Sequence, residues 1–126
     1  MAADYALFIG WGGLHAGREQ IAIKSFGDVV QYLTSRQQQG DIESFEPVIL
    51  EQHGGELAGF FLVKGEAQKL NRIRAEDEEF RRHIARATLF AANVGVVGAA
   101  VGSGVQRLMQ TYNQEVERLE PVGAAR

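Results

Sequence analysis

The side chains that can do acid–base chemistry are few and scattered. Three histidines, His15, His53 and His83, are spread over the chain. His53 follows Glu51 on one face of an apolar strand, and a titratable pair at a strand end can hold a proton near neutral pH. The plainer account of His53 is a solvent-exposed hairpin tip. Glu46 lies between Phe45 and Pro47. It is either a base raised by a pocket or, more simply, a charge that guards an edge strand against mispairing. Glu46 and His53 are therefore the candidate catalytic groups. The histidines form no His-x-x-x-His or two-His-one-carboxylate pattern, and cysteine is absent, so the pattern predicts no metal site, no tightly held haem and no thiol chemistry.

A second set of residues suits binding. Trp11 is the only tryptophan and ends an apolar run just before Gly12-Gly13-Leu14-His15-Ala16-Gly17. An aromatic ring there can wall a pocket, with the glycine-rich stretch as a flexible rim. The candidate ligand contacts are Trp11, His15, Phe61 and Asn93. Gly12-x4-Gly17 has Arg18-Glu19 where a phosphate loop needs Lys and Ser or Thr, and His15 fills the third glycine position of a dinucleotide loop. No cofactor is expected. Phe60 and Phe61 are adjacent and point to opposite sheet faces, which does not make a base-stacking platform. Thirteen basic against 16 acidic residues give a net charge of −3, the wrong sign for a nucleic-acid partner.

These residues need a frame. At 126 residues the chain fits one domain, expected over 1–120 with a flexible tail at 121–126. Tyr5 to Trp11 reads as a strand buried on both faces. Ala22, Phe26, Val29, Val30 and Leu33 recur at helical spacing, so a helix spans about 18–38 and stops at Gly40. Residues 42–52 and 57–64 flank Gly54-Gly55 as a hairpin, and closing it symmetrically pairs Val48 with Phe61 and Glu46 with Val63. Both hairpin faces are apolar at their centres, yet one α+β domain covers only one of them with helices. Leu70, Ile73, Asp77, Phe80, Ile84 and Ala87 mark a second helix, broken near Ala75. A last strand runs over 89–101, and Ser103 caps a third helix whose stripe is Val105, Leu108, Met109, Tyr112, Val116 and Leu119. No segment is apolar enough to cross a bilayer and no signal peptide is evident, which predicts a cytoplasmic protein.

The order β-α-β-β-α-β-α contains the ferredoxin-like split repeat, with an antiparallel four-stranded sheet and an extra C-terminal helix. The strand Tyr5 to Trp11, the hairpin Phe45 to Val63 and the Glu79-Phe80 helix leading into Val94-Gly95-Val96-Val97 resemble the dimeric α+β barrel superfamily. That superfamily includes antibiotic-biosynthesis monooxygenase-like, YCII-like and stress-responsive barrel proteins. The resemblance implies a homodimer built through the sheet face. It also implies a pocket between sheet and helices that takes a small apolar or aromatic metabolite. Two alternatives stand beside this reading: a cofactor-independent oxygenase or isomerase using Trp11, Glu46, His53 and Asn93, and a structural dimer without ligand.

Overall fold

The computed structural model describes residues 3–120, so the expected tail at 121–126 lies outside them. Four strands, β1 (Tyr5–Trp11), β2 (Ser44–Ile49), β3 (Gly59–Gly65) and β4 (Gly95–Ala100), form one antiparallel sheet in the order β2-β3-β1-β4. Its four helices are α1 (Glu19–Gln38), α2 (Ala67–Glu76), α3 (Glu78–Ala87) and α4 (Ser103–Leu119). The architecture is α+β and compatible with a ferredoxin-like fold. Among the described residues, no helix is long and apolar enough to cross a membrane.

Helices α1, α2 and α3 cover one face of the sheet. Leu7, Ile9, Phe61 and Val63 point to that face and pack with Tyr32, Leu33, Leu70, Ile73 and Phe80 in the main core. The strict alternation of β3, whose Gly59, Phe61, Val63 and Gly65 are buried while Phe60, Leu62 and Lys64 are half-buried, is what a strand with one covered face produces. On the other face Phe8 stacks on Phe60, ring centroids 4.8 Å apart, and Val48 pairs with Phe60.

Three expectations are corrected. The hairpin does not close on Gly54-Gly55: β2 ends at Ile49, β3 begins at Gly59, and Val48 pairs with Phe60, not Phe61. A one-residue slip exchanges the faces, so Glu46 lies opposite Leu62 on the uncovered side. The helical break falls at Asp77, not near Ala75. There Asp77 takes extended backbone and caps α3, its Oδ1 accepting from the Glu79 N–H at 3.0 Å. Ser103 is not a cap but the first residue of α4. Gly102, at a φ of 52° that favours glycine, takes the cap position.

Candidate functional site

At the carboxyl end of β1 the helices stand away from the sheet and leave a cavity of about 590 Å³, within the range of about 300–1,000 Å³ common for small-molecule sites. Its floor is the end of β1 with Phe61 of β3, its roof is α1 and α3, and its sides are the segments after β1 and α3 together with the end of β2 and the β2–β3 connection at Ile49, Leu50, Gln52 and Ala58. The local sequence dictates this shape. Trp11, Phe26 and Phe61 form an aromatic group with centroid separations of 5.2 to 6.2 Å. Rings of that size prop α1 over the strand ends, whereas Leu70 and Ile73 close α2 tightly on the sheet elsewhere.

The segment after β1 is held, which corrects the expectation of a flexible rim. Gly12 N–H donates to Ala92 O at 2.6 Å, Ala92 N–H to Gly13 O at 2.9 Å, and His15 N–H to Phe90 O at 2.8 Å. Gly12 serves close approach rather than freedom: a Cβ there would stand 2.8 Å from Glu56 O and 3.0 Å from Ala92 O.

The predicted site residues divide. Trp11 and Phe61 line the cavity. His15 and Asn93 are exposed and do not line it; Asn93 instead takes a left-handed turn, φ 55°, just before β4. Glu46 is exposed on the opposite face of the sheet, away from the cavity. His53 is exposed in the connection between β2 and β3. Its Nδ1 accepts from the Gly55 N–H at 3.1 Å while Nε2 donates to Leu57 O at 2.8 Å, so the imidazole staples its own loop. That pairing uses both ring nitrogens of the neutral form. Glu46 and His53 therefore share no site with each other or with the cavity.

The histidine that does reach the cavity is His83 of α3, only 8% exposed. In the sequence it stands among Arg81, Arg82 and Arg86, which mask it. The signal was present, because Phe80, His83, Ile84 and Ala87 fall at i, i+3, i+4 and i+7. Burial, helped by Arg86, holds its imidazole below the ordinary histidine value, against the opposing pull of Glu79 and Asp28. Neither ring nitrogen has a protein hydrogen-bond partner, and the nearest carboxylate oxygen, Glu79 Oε2, is 3.9 Å from Nε2. Such a group costs about 1–3 kcal/mol when left unpaired.

Beside His83, a polar clamp ties α1 to α3. Tyr32 Oη and Arg36 Nη2 each donate to Asp77 Oδ2 at 2.5 Å, and Arg36 also bonds Asp41 at 3.0 Å. Burial, and then the bond to Asp77, push the Tyr32 phenol well above its usual value. Burial works against the charge on Asp77, but Tyr32, the Glu79 N–H and Arg36 together hold it below the usual carboxylate range. The Tyr32 ring lies 5.2 Å from that of His83. This pair forms a partition between the apolar cavity and a polar groove on the outer surface lined by Asp28, Arg36 and Glu79.

Among the described residues, no Asp, Glu, Lys or Arg side chain lines the cavity, and no cluster of three His, Asp or Glu residues suited to a metal occurs. In comparisons with known proteins, no protein-family model, curated protein or solved structure matches this chain.

Proposed function

We propose that this protein is a homodimeric binding domain of the α+β barrel type that takes a small apolar or aromatic metabolite between its sheet and helices α1 and α3. One observation carries the reading: the cavity is walled by Trp11, Phe26, Phe61, Phe80 and Phe90 and by no charged side chain. Such a lining rewards transfer of a flat apolar molecule from water and offers no counter-ion to a phosphate or carboxylate. Two apolar surfaces support the dimer. The uncovered sheet face carries Phe8, Val48, Phe60, Leu62 and Val97, and α4 carries Val105, Leu108, Met109, Tyr112 and Val116 at 43–55% exposure. A second copy offers a matching pair of surfaces about a two-fold axis. The enzymatic alternative has weaker support, since Glu46 and His53 lie apart from the cavity.

The test is a thermal-shift screen of neutral aromatic metabolites with Trp11 emission as the second readout, because a molecule bound only by the folded state raises its melting temperature. Hits are expected to shift the emission of this single tryptophan. A screen without hits, or hits that leave the emission unchanged in wild type and melting unchanged in Trp11→Phe, refutes binding at this cavity.

A further inference from the structure

The cavity accounts for its aromatic walls but not for His83. This imidazole is more than nine-tenths buried, touches the cavity, and has two nitrogens with no protein partner. Buried polar groups are normally hydrogen-bonded, and one that is not calls for an explanation in terms of what it meets. Packing alone would be served better by Phe or Leu, as at Phe80 and Ile84 on the same stripe. As the ring stands, neither nitrogen is exposed to solvent or to the cavity, so a ligand reaches one only when the ring turns. Because neither holds a bond, turning the ring about its soft Cβ–Cγ torsion breaks none. The neighbouring Tyr32 hydroxyl is already committed to Asp77, so it does not compete for a ligand. Ser25, 3% exposed on α1, is the other buried polar side chain on the same wall.

We propose that His83 is the polar anchor of the cavity, and that the ligand is an uncharged aromatic molecule bearing a hydroxyl or carbonyl oxygen directed at the α1–α3 wall. The neutral imidazole supplies one donor and one acceptor, and so serves a phenol through its acceptor nitrogen or a ketone through its N–H. The uncharged lining excludes ionised forms, which would enter without a counter-charge. The aromatic walls set the shape, and His83 sets the orientation. This inference rests on the cavity being the binding site.

The experiment separates the two claims with simple probes: naphthalene, 2-naphthol and 2-naphthoate, titrated by calorimetry into wild type, His83→Phe and His83→Gln. Naphthalene tests the cavity, and the hydroxyl increment tests the anchor. Without an anchor the more apolar naphthalene binds tighter. With it, wild type should bind 2-naphthol at least about fivefold more tightly than naphthalene, and 2-naphthoate weakest of the three. His83→Phe should keep naphthalene binding and lose the preference, while His83→Gln should restore part of it. Naphthalene binding with no preference for 2-naphthol in wild type overturns the anchor and leaves the cavity reading intact, even if neither variant folds. A preference that survives in His83→Phe overturns it as well, and tighter binding of 2-naphthoate overturns the uncharged ligand. If neither naphthalene nor 2-naphthol binds, the cavity reading falls and the anchor falls with it.

Discussion

Both faces of the sheet carry large apolar side chains, and these end in opposite conditions. Adjacent residues make the contrast: Phe61 is 4% exposed beneath α1, while Phe60, one position earlier, stacks on Phe8 with no helix over it. Residue type alone therefore does not decide burial at these two positions; the placement of three helices does. The covered face also includes a cavity that its own side chains do not fill, whereas the uncovered face is flush and half-exposed. A filled face and a hollow one suit different partners: a flat surface suits another protein surface, and a hollow suits a small molecule.

The sharpest break of this comparison is to truncate the two phenylalanines in turn. Phe61→Ala should lower unfolding free energy by about 3–5 kcal/mol, as truncation of a buried ring does. Phe60→Ala should cost about 1–2 kcal/mol in the isolated chain, in proportion to its partial burial. Phe60→Asp should leave a folded monomer in light scattering where wild type is dimeric. Equal costs for both truncations, or a wild type that is monomeric at micromolar concentration, would remove the distinction between the faces.

A second break targets the clamp that holds the cover in place. Tyr32→Phe removes the hydrogen bond to Asp77 and should cost about 1.5–3 kcal/mol near pH 7, the usual worth of a bond to a charged group. Asp77 is held below its ordinary value of 3.8, so its contribution is present above that pH and is lost as pH falls through the lower folded-state value. Urea unfolding should accordingly show the gap between wild type and Tyr32→Phe narrowing below about pH 4. A gap that is constant with pH would show that the hydroxyl acts on something other than the Asp77 carboxylate.

A smaller effect sharpens the picture of the hollow. Burial lowers the His83 value from its ordinary 6.5, so below that pH the unfolded chain takes up a proton more readily than the folded one. Stability should then fall, by up to about 1 kcal/mol per pH unit, as pH drops below 6.5 towards the lower folded-state value. His83→Phe should flatten that slope, in spite of Arg82, Arg86, Glu79 and Asp28 around it. An unchanged slope would place its origin elsewhere. Smallest of all, Tyr112→Glu on exposed α4 should change monomer unfolding by no more than about 0.5 kcal/mol. Its effect should instead appear as weaker self-association in sedimentation.

Much of the frame is legible in the sequence. Alternation gives β1 the bounds Tyr5–Trp11, and 3.6-residue spacing gives α1 to within a residue at its start. What misleads is the Gly54-Gly55 pair, which has the composition of a two-residue turn. The connection from residue 50 to 58 is instead organised by His53 and by Leu50 N–H donating to Ala58 O at 2.9 Å. A register depends on such long-range pairing and not on local type, so Glu46 and Phe61 were assigned to one face although they occupy two. At the site, Trp11 and Phe61 are readable because large apolar residues collect where helices meet a sheet. His83 is hidden by its charged neighbours Arg81 and Arg82, which point outward from the same turn. The break at Asp77 is visible only as an acidic run, since the capping bond and its two donors come from residues 32, 36 and 79.

Among the described residues, helix α4 is fastened at its first turns only. Gly104 sits so close to the Asp4 carbonyl that no larger residue fits, and Arg107 pairs with the Asp4 carboxylate; beyond that turn every residue to Leu119 is exposed. Seventeen residues at 1.5 Å each make a rod of about 25 Å that starts at Gly102. A difference of about 10° in its direction there would displace the far end by about 4 Å, somewhat less than the pitch of one helical turn. Asp4, remote from Tyr112 and Val116, is therefore the residue that aims them.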